Sequence, residues 1–182
     1  MKKFISFSGG VESTTMCVLF GKNADAIFAD TGGEHDELYQ RTELVENWCK
    51  EFHRPDFKIH LVRNEKHNSL TDYIIESKFM PNFQARFCTR MFKIEPIDNF
   101  LKQYKDEGAE LMIGLNADEG DQRTGNHGNL KFINYSYPLC DNKIPRAACI
   151  VILDKVGLKP AFPAYMQRWI LNLKTKYNDS KN

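Results

Sequence analysis

Phe4-Ile5-Ser6-Phe7-Ser8-Gly9-Gly10-Val11-Glu12-Ser13-Thr14 takes the chain from a short apolar run through a Ser-Gly-Gly turn into a helix start. Two glycines after a buried strand let the backbone turn sharply and approach a ligand closely. Glu12, Ser13 and Thr14 begin a helix whose free N–H groups and dipole face back into that turn. Such a turn is an anion site, and phosphate is the usual anion. Walker A is excluded, because it needs four residues between its glycines and then Gly-Lys-Ser/Thr. Ser6 and Ser8 offer hydroxyls, Gly9 and Gly10 backbone N–H groups, and Ser13 and Thr14 donors at the helix start. Glu12 is the awkward member: a carboxylate beside phosphate is unfavourable unless it holds a cation or points away. The competing structural reading is an ordinary strand-to-helix turn capped by Ser8.

Outward from that turn, strands and helices alternate. Strands are predicted at Lys3–Phe7, Ala24–Ala29, Lys58–Val62, Glu110–Leu115 and Phe132–Tyr137. Helices are predicted at Ser13–Gly21, Asp36–Phe52, Ser69–Ser77 with Ser69 as cap, Lys93–Lys105 and Pro145–Val156. Met80–Arg86 and Gly120–Asn129 read as loops. The alternation predicts an α/β fold, a parallel sheet of about five strands with helices on both faces. Ligands bind such sheets at the carboxyl ends of strands, near a switch in strand order. Four polar clusters fall there: Ser8-Gly9-Gly10, Asp30-Thr31-Gly32, Asn64-Glu65 and Asn116–Glu119. Residues 1–160 form the expected ligand-binding α/β domain, and 161–182 a helical extension with a frayed end.

Composition limits the partners. Lys+Arg 25 against Asp+Glu 24 gives a formal charge of +1, so nothing draws the chain generally to nucleic acid or membrane. There is no leader-like apolar segment after Met1-Lys2-Lys3 and no run of spanning length, which predicts a cytoplasmic protein. Five cysteines without close pairs argue against a disulfide framework and against a zinc ribbon. Cys17 and Cys49 sit in apolar helical patterns and read as small buried hydrophobes.

Three further stretches carry chemistry. Asp30 ends the second strand, and its plain role is a turn carboxylate bonding its own backbone. Glu34-His35 allows metal or acid/base chemistry, while the plainer reading of a lone histidine there is a solvated one. Arg86-Phe87-Cys88-Thr89-Arg90-Met91-Phe92-Lys93 places cations and a thiol ahead of a helix. Arginine makes planar bidentate contacts to phosphate or sulfate, lysine a point charge, and Arg90 and Lys93 lie three apart, on one side of a helix. Nearby cations would also make Cys88 reactive. In Gly114-Leu115-Asn116-Ala117-Asp118-Glu119, followed by Arg123, the glycine permits close backbone approach. There Asp118 and Glu119 can hold magnesium or orient an amine.

The Ser-Gly-Gly-Val-Glu-Ser turn resembles the PP-loop, Ser-Gly-Gly-x-Asp-Ser, of the ATP pyrophosphatase and phosphoadenosine phosphosulfate (PAPS) reductase superfamily, with Glu12 where many members have Asp. Cys88-Thr89 with Lys93 and Pro96 is similar to that superfamily's Cys-Thr-x-x-Lys-x-x-Pro. Gly114 through Arg123 is similar to its Gly-x-x-x-x-Glu-x-x-x-Arg. The likeness runs from about Met1 to Leu158 and matches abbreviated, phage-encoded relatives. It implies an adenine nucleotide alpha hydrolase-like (Rossmann-like) fold, with Thr31 and Gly32 beside the adenosine and Asp30 holding a ribose or, through water, a magnesium ion. It further implies that Lys93, Arg90 and Arg123 face the anionic end and that Mg²⁺ accompanies the nucleotide.

The chain also departs from the reductases. The stretch Trp169–Asn182 contains no cysteine where they carry a nucleophilic one, and the scattered Cys88, Cys140 and Cys149 argue against an iron–sulfur cluster. The expectation is therefore binding of ATP or a related adenine nucleotide such as PAPS. Cleavage of the α–β bond of ATP would follow, by adenylyl transfer to an acceptor or by pyrophosphate release. The alternatives are thiol-dependent PAPS reduction through Cys88, and a non-catalytic nucleotide sensor or partner-binding protein. The apolar stripe in Tyr165–Tyr177 reads as core packing or as a surface that docks on a second copy, making a homodimer.

Overall fold

A computed structural model describes residues 1–78, 87–119 and 130–158. The loop predicted at Gly120–Asn129 with Arg123, the whole Met80–Arg86 loop, and the whole extension 161–182 lie outside the described residues. In chain order the elements are β1 (Lys2–Phe7), α1 (Val11–Phe20), β2 (Asp25–Asp30), α2 (Asp36–Phe52), β3 (Ile59–Arg63) and α3 (Leu70–Ser77). There follow α4 (Phe87–Thr89), a π-turn at Arg90–Ile94, α5 (Glu95–Leu101), β4 (Ala109–Met112), β5 (Ile133–Ser136), α6 (Pro138–Asp141) and α7 (Arg146–Lys155).

The five strands form one sheet in the order β3-β2-β1-β4-β5, every pair parallel. Side chains alternate across it, as a pleated strand requires. Ile5, Phe7, Ala26, Phe28 and Met112 face a core built with α1, α2 and α7. Phe4, Ile27, Ala29, Ala109 and Leu111 face a second core against Ile97 and Leu101 of α5. Burial on both faces accounts for the near-continuous apolar strands. Among the described residues, no helix is long and apolar enough to cross a membrane.

Several boundaries shift from the sequence reading, β4 ending at Met112 rather than Leu115, and two of the shifts have a clear physical reason. α1 begins at Val11 rather than Ser13, because the Thr14 N–H already bonds the Gly10 carbonyl at 3.0 Å and closes the first turn there. The helix predicted at Lys93–Lys105 starts at Phe87 and is interrupted by the π-turn. Proline 96 has no N–H and its ring crowds the carbonyl four residues back. The chain widens one turn ahead of it, and the Glu95 N–H bonds the Arg90 carbonyl instead. Ser69 caps α3 as expected, accepting from the Asp72 N–H at 2.9 Å.

At the amino end of β2, Asp25 accepts from Arg54, from the Lys58 N–H at 3.2 Å and from His60 Nε2 at 3.4 Å. Burial alone would raise its pKa, but the His60 and Arg54 hydrogen bonds, the Arg54 charge and the Lys58 N–H outweigh it, lowering the carboxyl from 3.8 to about 2. A depressed folded pKa contributes stability that is present above about pH 4 and lost as pH falls through about 2. Asp25→Asn should therefore cost about 2 kcal/mol at pH 6 and progressively less toward pH 2, read from urea unfolding across that range. An undiminished difference at pH 2 would sink the assignment.

Candidate functional site

The chain steps from β1 to β2 to β3, then crosses back to place β4 on the other side of β1. That reversal opens a crevice at the carboxyl ends of β1 and β4, where sheets of this type bind ligands. The Ser8–Ser13 turn occupies it. Gly9 takes a left-handed φ of +71°, and a Cβ on it would stand 2.1 Å from Leu38 Cδ1 of α2. Within the turn, Ser13 Oγ accepts from the Ser8 N–H at 3.2 Å, lies 3.2 Å from Ser8 Oγ and donates to the Gly10 carbonyl at 3.3 Å. The Gly10 N–H donates to no acceptor among the described residues. Ser6 lies within β1 opposite Ile27, on the face shared with Phe4, one strand repeat below the turn. Thr14 is fully buried, and its hydroxyl accepts from Arg41 at 3.4 Å. Its side chain thus points into the protein.

Glu12 has found its cation. Its carboxylate accepts from Asn116 Nδ2 at 3.0 Å and pairs with Arg146 at the start of α7. Asn116 is buried and also accepts from the Asp118 N–H at 2.9 Å, while Asp118 Oδ2 accepts from the Arg146 N–H at 3.0 Å. This lattice joins β4, α1 and α7. Gly114 makes it possible: a Cβ there would lie 3.2 Å from the Ser13 nitrogen and 3.3 Å from the Glu12 carbonyl carbon. The close approach at Gly114 is to α1 itself.

At the end of β2, Asp30 is 1% exposed and both its oxygens are engaged. Oδ1 accepts from the Gly32 N–H at 2.8 Å and from the Tyr39 hydroxyl at 2.7 Å. Oδ2 accepts from Arg63 Nε at 2.7 Å and Nη2 at 2.5 Å. Burial and the Asp30 bond push the Tyr39 phenol well up, so it stays a donor. Thr31 donates to Glu34 Oε1 at 2.9 Å, and its carbonyl accepts from the Leu70 N–H at 2.7 Å. These bonds fix the end of β2 as a rigid ledge beside the turn.

Arg90 and Lys93 lie on the π-turn, both exposed, and Arg90 pairs with Glu95 at 3.2 Å. The wider turn changes the α-helical stacking expected of residues three apart. Asn64, which follows β3, donates to the Met91 carbonyl at 2.7 Å and holds the π-turn at the carboxyl edge of the sheet. A cavity of about 390 Å³ opens beside it, lined by charges of both signs from Lys66, Glu95, Asp98 and Lys102. Cys88 is half-buried and packs beside Leu70, Ile74 and Phe92.

Among the described residues, no group of three or more His, Cys, Asp or Glu side chains is placed to hold a metal ion. Asp30 has spent both oxygens on four donors, and Glu12 is paired with Arg146. The donor set does not fit a resident magnesium ion. The metal role expected of Asp30 has no support in this geometry.

Residues 2–127 match the family profile of the phosphoadenosine phosphosulfate reductase domain. The chain belongs to that family. Its structure is similar to the crystal structure of a phosphoadenylyl-sulfate (PAPS) reductase from Candida auris in a phosphate complex, with a TM-score of 0.59 at 13% identity. That match covers 85% of this chain and 72% of the other, and at such identity the likeness is one of fold. Two uncharacterized proteins of Methanocaldococcus jannaschii are also similar, 25% identical over 123 residues and 29% identical over 103. The matches take in 65% and 55% of this chain but 24% and 23% of theirs, so the chain spans about a quarter of those relatives' length.

Within this reductase-domain chain the thiols are dispersed. Cys17, Cys49 and Cys149 are buried, as their apolar helical patterns predicted, and burial raises the pKa of each. Cys140 Sγ lies 3.1 Å from the Leu115 carbonyl and 3.3 Å from that of Asn116.

The structure adds four residues around the site: Arg41, Tyr39, Arg63 and Arg146. Arg41 had a legible signal. It stands between Leu38 and Val45 on the inward stripe of α2, where a charge must be buried and bonded.

Proposed function

We propose that this chain binds an adenine nucleotide with its phosphates on the Ser8–Ser13 turn, and that it acts on the α–β bond of ATP. Magnesium enters as part of the nucleotide substrate. The observation that carries the reading is the turn itself. A left-handed Gly9, an unpaired Gly10 N–H and the start of a ten-residue helix converge at the strand-order reversal. Converging N–H groups and a helix N-terminus suit an anion. Glu12 does not spoil it, because Arg146 neutralises the carboxylate. Catalysis on this reading is positioning and charge neutralisation, with Lys93 and Arg90 supplying cations from the π-turn.

Calorimetry with ATP·Mg and with PAPS tests the binding. Binding of neither at millimolar concentration would end the reading. Lys93→Ala should weaken the bound nucleotide about tenfold, the worth of one charge-assisted hydrogen bond. Unchanged affinity would remove Lys93 from the site. A pyrophosphate-release assay with candidate acceptors then tests turnover.

Family membership favours a second reading, thiol-dependent reduction of PAPS through Cys88. Its packing among Leu70, Ile74 and Phe92 fits a structural thiol better. Full sulfite release by Cys88→Ser would eliminate that thiol. Tight nucleotide binding without turnover would instead support a sensor.

A further inference from the structure

Arg41 of α2 is 6% exposed, and its guanidinium meets the anion-binding turn from beneath. Nε donates to the Gly9 carbonyl at 2.9 Å. Nη2 reaches Thr14 Oγ1 at 3.4 Å and the Leu158 carbonyl, just past α7, at 3.5 Å. One side chain thus spans the turn, the first turn of α1 and the exit from α7.

The bond to Gly9 has a directional consequence. In a trans peptide the carbonyl and the next N–H point in opposite directions across a plane that resists rotation. The chain contains no cis peptide among the described residues. Holding the Gly9 carbonyl inward on Arg41 therefore aims the Gly10 N–H outward. That N–H has no acceptor among the described residues. Glycine at both positions leaves this peptide plane free to flip unless something holds it.

We infer that Arg41 is a positioning residue for the anion site: it locks the Gly9–Gly10 peptide so that the Gly10 N–H faces the bound phosphate. It touches no ligand itself. The inference rests on the Ser8–Ser13 turn being the phosphate site, but its geometric half is tested without a ligand.

The experiment compares the full chain with Arg41→Met and Arg41→Gln. Methionine fills much of the volume without a donor, and glutamine keeps one N–H. The first readout is the residual dipolar coupling of the Gly10 N–H in ligand-free protein, against couplings in β1 and β2. The second is affinity for pyrophosphate, measured well below the melting temperature of each variant. We expect the Gly10 coupling to shrink toward its averaged value in Arg41→Met while the strand couplings hold. Pyrophosphate affinity should fall about tenfold or more, and Arg41→Gln should recover part of both.

An unchanged Gly10 coupling in a folded Arg41→Met protein would overturn the inference. So would a changed coupling with unchanged pyrophosphate affinity. If both variants unfold, Arg41 is a scaffold residue and the positioning role is lost. Wild-type protein that binds neither pyrophosphate nor ATP overturns the nucleotide reading instead, and the Gly10 coupling alone then decides whether Arg41 sets the peptide.

Discussion

Replacing Gly9 by alanine should lower folding stability by about 3 kcal/mol and, on the proposed function, weaken nucleotide binding at the Ser8–Ser13 turn. Two costs combine. A φ of +71° is left-handed, and any Cβ there meets its own backbone, at about 1–2 kcal/mol. That Cβ would also stand 2.1 Å from Leu38 Cδ1, on a buried side chain in a packed core. Overpacking of this kind costs about 1–3 kcal/mol. Either relief, a flipped Gly9–Gly10 peptide or a displaced α2, moves the N–H groups that the proposed function assigns to the phosphates. Gly10→Ala is the control. Gly10 has an extended φ of −75°, and a Cβ there meets only Ser8 Oγ at 3.6 Å. Its stability loss should stay below about 1 kcal/mol. Urea unfolding and calorimetry with ATP·Mg read both effects. Equal stability of Gly9→Ala and wild type would refute the assigned strain.

The fold was legible because its determinants are local and periodic. Apolar strands alternating with amphipathic helices, such as Leu38–Val45–Cys49 on α2, leave few arrangements other than a parallel sheet covered on both faces. The turn was legible for the same reason, since its glycines, hydroxyls and helix start adjoin in sequence. Boundaries were missed where chemistry acts across the chain. Pro96 forces the π-turn through a carbonyl one turn away, and no periodicity announces that. The partners of the site were missed because they come from distant segments. Arg146 reaches Glu12 from 134 residues away, and Arg63 reaches Asp30 from 33.

Glu12 shows how one such partner changes a sequence-level objection. A lone carboxylate at an anion site repels its ligand. Paired with Arg146 and bonded by Asn116, it becomes a strut that ties α1 to β4 and α7. Arg146 stays half-exposed at 54%, so the pair meets solvent on the arginine side.

Asp30→Ala should cost about 3 kcal/mol, and the way it fails separates two roles for this carboxylate. Its side chain is fully buried and serves four donors. Alanine leaves the Gly32 N–H and the Tyr39 hydroxyl unsatisfied and releases Arg63, whose exposed guanidinium is rehydrated. Asp30→Asn keeps Oδ1 for Gly32 and Tyr39 and loses only the acceptor for Arg63, so it should cost about half as much. If Asp30 is a strut of the β2 ledge, both variants lose stability while magnesium dependence of nucleotide binding stays as in wild type. A magnesium ligand behaves in the opposite way: asparagine would leave stability nearly intact and shift the magnesium dependence instead. Urea unfolding paired with ATP titrations at several magnesium concentrations distinguishes the two. The four short bonds on a carboxylate 1% exposed favour the strut.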